Sequence, residues 1–239
     1  MKKKLLYTAG IAVALLLVVY VGLAFFLGSI VKAGVNRFAP GITGTKVELS
    51  GAEISPLSGS GTLVGLVVGN PKGWSDFNLM SVGRVHLKLK PFSVFGDHIV
   101  IEEIAIEKPE FLYETKVISS NVGDLLKNLQ GSSDNKTADA TTKSGKPLKF
   151  EVKHFHLDGG IVKVGLGPAA VPVPMPPIDL TDLGTAEGGI TSSQLAFAVM
   201  RSVTSSVVSA TAQAAKKLGG SLGGAASDAV KGLFGGKKK

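Results

Sequence analysis

The chain has 239 residues, no cysteine and a formal net charge of +8. Without cysteine it forms neither disulfides nor thiolate metal sites, so its fold rests on burial alone. Lys2, Lys3, Lys4, Lys237, Lys238 and Lys239 carry six of the eight positive charges. The nearly neutral body between them offers no phosphate-tracking stripe, which argues against a nucleic-acid partner.

Residues 5–31 contain no charged side chain. As a helix they reach about 40 Å, more than a ~30 Å hydrocarbon core. The three lysines ahead of this run favour a cytoplasmic N-terminus, with everything after Val31 across the membrane. A signal peptide has a shorter apolar stretch of about 7–15 residues and a small-x-small cleavage site, whereas this run is long and ends in Phe25-Phe26-Leu27. An uncleaved anchor is therefore expected. The terminal lysines suit anionic lipid head groups, at about 1 kcal/mol each near the surface.

Residues 32–40 extend the helix until Pro40-Gly41 and Gly44 break it. Strands follow. Residues 46–49 alternate polar and apolar, 60–68 form a Leu/Val run, and 84–90 alternate strictly. Residues 69–73 are a loop before Trp74, the only tryptophan. Residues 98–107 and 110–115 are two more strands, with Lys108-Pro109 as the turn between them. Val122, Leu125, Leu126 and Leu129 share one helical face and predict a short helix over 120–129. Residues 131–145 lack large apolar side chains and read as a flexible linker. A strand over 148–157 turns at Asp158-Gly159-Gly160 and returns through 161–166. The Pro-rich 169–177 suits a sheet edge or a crossing segment. A long helix over 191–218 opens with a capping box, Thr191 and Gln194, and a hydrophobic staple, Ile190 and Leu195. Gly219-Gly220 ends it, and a weaker Gly/Ala-rich helix over 221–234 precedes the last lysines.

One pattern recurs: apolar-x-apolar, two polar or glycine residues, apolar-x-apolar. It occurs at Val47, Leu49, Ala52 and Ile54, at Ile99, Ile101, Ile104 and Ile106, and at Phe150, Val152, Phe155 and Leu157. The copies lie 52 and 51 residues apart. Two polar residues in a row shift the period of two, and a strand keeps its apolar set on one face only if a β-bulge absorbs the step. Bulged strands bend. The expected fold is α+β: an N-terminal transmembrane helix, a curved and mostly antiparallel sheet, and a long C-terminal helix. Its parts are a basic cytoplasmic end (1–4), the anchor (5–31), a first β-rich half with a short helix (32–130), a linker (131–146), a second β-rich part (147–190) and a helical region with a basic tail (191–239).

These features, taken in order, resemble the AsmA family of bacterial envelope proteins. The residues that carry the likeness are the N-terminal span leading to Gly44-Thr45-Lys46-Val47-Glu48-Leu49, then Gly69-Asn70-Pro71-Lys72-Gly73-Trp74. After these come the alternating 82–90 with Pro91, the strand Ile99-Val100-Ile101-Glu102-Glu103-Ile104, and Lys108-Pro109-Glu110-Phe111. The resemblance covers most of the chain and implies a single-pass inner-membrane anchor, a periplasmic β-rich body, and curved sheets that cradle lipid acyl chains in envelope lipid homeostasis. Long members chain many such units, whereas seven to nine strands here would give a sheet only about 35–45 Å wide. Such a module would have to oligomerise, dock on a longer partner, or do something other than complete a bridge.

Lipid-contact candidates are Val47, Leu49, Ile54, Val85, Leu87, Leu89, Ile99, Ile101, Ile104, Ile106, Phe150, Val152, Phe155 and Leu157. A lipid groove needs their shared face open, and a core needs it filled, which the helix over 191–218 is long enough to do at ~40 Å. Membrane lipids are the expected partner. A rival expectation is a structural protein that oligomerises or docks on an envelope complex through Ser/Thr/Ala-faced C-terminal helices. No enzyme is expected. There is no Gly-x-Ser-x-Gly, the four histidines suggest no triad, and Gly59-Ser60-Gly61 lacks the Lys-Ser/Thr of a phosphate loop. His154, His156 and Asp158 are the sharpest metal candidates, but no fourth ligand is evident, and neither metal nor cofactor is expected. Glu102 and Glu103, as strand neighbours, point to opposite faces unless a bulge intervenes.

Overall fold

A computed structural model describes residues 2–135, 139–142, 145–165 and 170–217. The fold is α+β: an N-terminal apolar helix, a curled, mostly antiparallel half-barrel sheet, and a long C-terminal helix. Helix α1 spans Lys2–Thr43. Pro40 lies in its last turn, where a missing N–H forfeits a single backbone bond, so the helix runs past the expected break. It stops at Gly44, whose φ of 65° suits a C-terminal cap and whose N–H bonds the Pro40 carbonyl at 2.9 Å.

The strands are β1 (Val47–Ile54), β2 (Ser60–Gly69), β3 (Asn78–Leu89), β4 (His98–Glu107), β5 (Glu110–Tyr113), β6 (Lys149–Asp158), β7 (Ile161–Val164), β8 (Val171–Pro174) and β9 (Ile178–Leu183), all in one nine-stranded sheet. β4 and β5 lie end to end against β3 in one register, as Val85↔Ile106 and Met80↔Phe111 show. β6 and β7 continue the same way, parallel to β4 and β5. β9 and β8 do so against β6 and β7. Nine strands thus fill six lanes, and the sheet is about 25 Å across rather than 35–45 Å. Lys108-Pro109 and Gly159-Gly160 are bends within lanes, not the turns the sequence suggested. Hydrogen bonds cross the kink, from Lys108 N–H to the Asp158 carbonyl at 2.8 Å and from Ile161 N–H to the Pro109 carbonyl at 2.9 Å.

The 51-residue repeat is the register of a parallel pair: Ile99↔Phe150, Ile101↔Val152, Ile104↔Phe155, Ile106↔Leu157. Its two-polar step is a bulge where the neighbour lacks one. Leu87 pairs with Ile104 but Leu89 pairs with Ile101, so β4 carries an extra residue against β3. Between β4 and β6 the register is unbroken, because Glu102-Glu103 and Lys153-His154 fall at one level. Asp182, with φ 55°, stands opposite Lys153 at that level too. A second bend line follows from the registers through Gly65, Gly83, Lys108 and Gly159, three of which have positive φ. Bends aligned across lanes curl a sheet instead of dislocating it.

The sheet's apolar face is closed by helices. α2 (Asn121–Asn135) and α3 (Ser192–Lys217) pack together over it. Val122, Leu125, Leu129, Met200, Val203, Val207 and Val208 join Phe111, Val152, Phe155, Leu157 and Val162 in one core. α2 outruns its expected end because Asn128 and Ser132 donate to the Thr43 and Ile42 carbonyls, at 3.0 and 2.8 Å, fastening it to the end of α1. Part of the expected linker is therefore structured: residues 131–135 are helix, and Asp139 and Ala140 are buried. Asp139 accepts from Ser193 N–H at 2.9 Å and from the Ser192 hydroxyl at 3.1 Å, at the N-terminus of α3. The capping box forms, with Thr191 N–H to Gln194 Oε1 at 2.9 Å and Gln194 N–H to Thr191 Oγ1 at 3.4 Å. The weaker helix expected over 221–234 lies outside the described residues.

α1 does more than precede the sheet. It runs antiparallel along the free edge of β1, which would otherwise present unpaired backbone groups. The Asn36 side chain imitates a strand there. Its Oδ1 accepts from Leu49 N–H at 2.7 Å, and its Nδ2 donates to the Leu49 carbonyl at 3.2 Å. Leu27 and Ile42 of the same helix are core residues.

Candidate functional site

None of the fourteen lipid-contact candidates is exposed. Val47, Leu49, Ile54, Val85, Leu89, Ile101, Val152, Phe155 and Leu157 are buried, and Leu87, Ile99, Ile104, Ile106 and Phe150 are half-buried. The groove reading of this face is corrected, since α2, α3 and the inner side of α1 occupy the space an acyl chain would need. Ser205 and Ser209, on the small-residue side of α3 that the rival reading relies on, stay exposed. Met200, Val203, Val207 and Val208 of α3 point into the core, while Arg201, Ser205, Ser209 and Gln213 form its polar outer stripe. Among the described residues α1 and α3 are both long and apolar enough to cross a membrane. The stripe that makes α3 apolar is spent on packing. The side chains of Lys2, Lys3 and Lys4 are not described, and Lys237, Lys238 and Lys239 lie outside the described residues.

Space opens instead on the other face of the sheet. Where α1 crosses the β1 edge, helix and outer sheet face flank an open cleft of about 1170 Å³, somewhat above the usual ~300–1,000 Å³ of ligand pockets. One wall is α1, through Tyr20, Val21, Gly28, Ser29 and Lys32. The other is built by outward positions of β1 to β4: Gly51, Glu53, Thr62, Val64, His86, Lys88, Glu103 and Ala105. Two of the expected lipid residues, Ile54 and Leu87, also reach it. The lining is mixed: Val21, Val64, Leu87 and Ala105 are apolar, Lys32 and Lys88 cationic, Glu53 and Glu103 anionic. Such a site suits an amphiphile better than a wholly apolar or wholly ionic ligand.

Two close approaches hold the helix over the cleft. Gly28 sits where an added Cβ would lie 2.1 Å from the Ala52 carbonyl oxygen, and the Tyr20 hydroxyl meets Ser55 Oγ at 3.2 Å. Outward strand positions read from sequence as a solvent face, so Val64, His86, Lys88 and Ala105 escaped notice. Their only sequence signal is that apolar Val64 and Ala105 interrupt otherwise polar sets.

The histidine cluster resolves into a cross-strand pair. His156 bonds Asp179 through Nδ1, opposite it in the β6–β9 register, while His154 and Asp158 are exposed. Among the described residues no three His, Asp or Glu side chains come together to hold a metal ion. The hydrogen bond that His156 Nδ1–H donates to the Asp179 carboxylate, reinforced by the charges of Asp179, Asp158 and Glu103, raises the His156 pKa above the ordinary 6.5. A raised folded-state pKa stabilises the fold at pH below 6.5, and that contribution disappears as pH rises through the higher folded value. An NMR titration should therefore find His156 protonated to higher pH in the unaltered chain than in Asp179→Asn. Equal midpoints in the two chains would refute the pairing. Compared with protein-family models, curated proteins and solved structures, the chain matches none of them.

Proposed function

We propose that this chain is a non-catalytic envelope module of the AsmA kind, held in the inner membrane by a single span with its bulk in the periplasm, and that it takes a membrane lipid into the cleft between α1 and the sheet. The observation that carries the reading is that one wall of the cleft is the apolar helix itself. A lipid beside α1 reaches Lys32 and Lys88 by moving laterally, without crossing water. Its phosphate finds those ammonium groups, the amine of a zwitterionic head group finds Glu53 and Glu103, and the upper acyl chain lies against Val21, Val64, Leu87 and Ala105.

An uncleaved anchor fits the same geometry. Leu27, Asn36 and Ile42 belong to the fold, so a peptidase cutting after the apolar run would strip Leu27 and Gly28 from the β1 edge.

Native mass spectrometry of the detergent-purified full chain tests the proposal. The expected result is retained phospholipid. Val64→Trp, at an exposed cleft position that does not enter the core, should lower that occupancy roughly fivefold by filling the space. Recovering no phospholipid, or finding Val64→Trp as fully loaded as the unaltered chain, would overturn the reading. Ile101→Asp is not a usable probe, because Ile101 is a core residue and a buried charge there would unfold the sheet.

A further inference from the structure

The end of the sheet that carries the cleft also carries an apolar cluster that the core leaves in water. Leu57, in the turn after β1, is 71% exposed, and Phe92 and Phe95, in the turn after β3, are 67% and 60% exposed. The two turns are joined, because Leu89 N–H donates to the Gly59 carbonyl at 2.8 Å. The Phe92 and Phe95 rings lie 6.5 Å apart. Phe92 also has a φ of 69°, a left-handed conformation that a bulky side chain rarely adopts. The backbone is thus strained at a residue whose ring gains no burial in return, which points to a role outside the fold.

The length of α1 shows what lies beside these turns. A hydrocarbon core takes about 20 helical residues, which from Leu5 end near residue 24. Tyr20 falls before that limit, and its hydroxyl touches Ser55 at the foot of the β1–β2 turn. Four helical residues are about 6 Å, within the ~5–10 Å to which apolar groups enter the boundary between head groups and acyl chains. The expected span of residues 5–31 is therefore too long: its last turns pack on the sheet, and the bilayer must rise to meet the turns.

We infer that Leu57, Phe92 and Phe95 are a second membrane contact, inserted at the head-group boundary of the bilayer that α1 spans. The inference rests on the reading of α1 as an anchor. It stands the sheet upright on the bilayer, sets the mouth of the cleft at the lipid surface, and leaves exposed Lys90 at head-group height.

The chain has no cysteine of its own, so single cysteines report position directly. Full chains carrying Leu57→Cys, Phe95→Cys or Ile118→Cys, labelled with an environment-sensitive fluorophore, are placed in phosphatidylethanolamine–phosphatidylglycerol vesicles with and without lipid-borne quencher. Ile118 is the control. It is 90% exposed and equally apolar, but lies beyond the far end of lanes about 50 Å long. The labels at 57 and 95 should shift to the blue and be quenched roughly twofold or more, and the label at 118 should do neither. Trp74 fluorescence confirms folding of each variant. If the chain resists alkaline extraction from the vesicles but labels 57 and 95 stay unquenched, the second contact is wrong and the anchor stands. A blue shift without lipid quenching means that protein covers the cluster, which also overturns the inference. Release of the whole chain by alkaline extraction overturns the anchor itself.

Discussion

Replacing Gly28 with leucine should pry the N-terminal apolar helix off the sheet. An added Cβ would stand 2.1 Å from the Ala52 carbonyl oxygen and 3.1 Å from its carbon. Both are backbone atoms of an edge strand and cannot rotate away, so the helix must move by an ångström or more. That displacement loosens both Asn36 bonds to Leu49 and the Tyr20–Ser55 contact, and exposes an unpaired strand edge. Overpacking and the lost hydrogen bonds together should cost about 2–5 kcal/mol in denaturant unfolding of the detergent-solubilised chain. Gly22→Leu is the control, because an added Cβ there meets nothing within 4 Å and both changes gain the same ~1 kcal/mol of helix propensity. On the proposed function, Gly28→Leu should also lower phospholipid retention, since the cleft loses the fit of one wall. Equal stability of the two variants would show that α1 does not hold the β1 edge in this way.

Asn121→Ala should be the most damaging single change at the opposite end. Asn121 is fully buried and uses its amide completely: Oδ1 accepts from Glu114 N–H at 3.0 Å and Val122 N–H at 2.9 Å, while Nδ2 donates to Asn70 Oδ1 at 2.8 Å and to the Leu112 carbonyl at 2.7 Å. Alanine leaves those partners in a dry site with nothing to bond. At ~1–3 kcal/mol for each unsatisfied group, less whatever relaxation recovers, the loss should be about 4 kcal/mol. The damage spreads through Asn70, because its Nδ2 bonds the buried Glu114 carboxylate, which also accepts from the Ser75 N–H and hydroxyl. Hydrogen exchange should show opening of residues 112–122 and of the loop at 70–75. Trp74 should report it in fluorescence, since its indole N–H bonds Asp124 at 3.0 Å and Lys116 lies 4.5 Å over its ring. A loss below about 1 kcal/mol would mean that water replaces the amide, contrary to a closed network.

The same network explains why residues 69–74 stood out as a segment without revealing what they do. Asn70 is half of a buried polar lock whose other half, Glu114 and Asn121, is supplied by a distant loop and helix. Several expectations missed for the same reason. Asp158-Gly159-Gly160 has the composition of a hairpin turn, and only the neighbouring lane shows that the chain bends there and continues in the same lane instead of reversing. β9 went unseen because Ile178, Leu180 and Leu183 are interleaved with Asp and Thr directly after two prolines, and its strand character comes from pairing with β6. The 51-residue repeat, by contrast, was visible, although its meaning as a parallel register was not.

The sequence by itself determined what depends on near neighbours. Uncharged residues 5–31 make an apolar helix, the stepped apolar pattern makes bent strands with one greasy face, and Thr191 with Gln194 starts the last helix where its N–H groups need partners. Tertiary structure alone decided which surfaces remain free. Fourteen apolar strand residues read the same whether a lipid or a helix lies above them, because burial energy depends on area removed from water and not on what removes it. The placement of α2 and α3 filled that face. Gly28 and Asn36, read in sequence as unremarkable helix residues, brought α1 against the β1 edge and so opened the cleft on the other side.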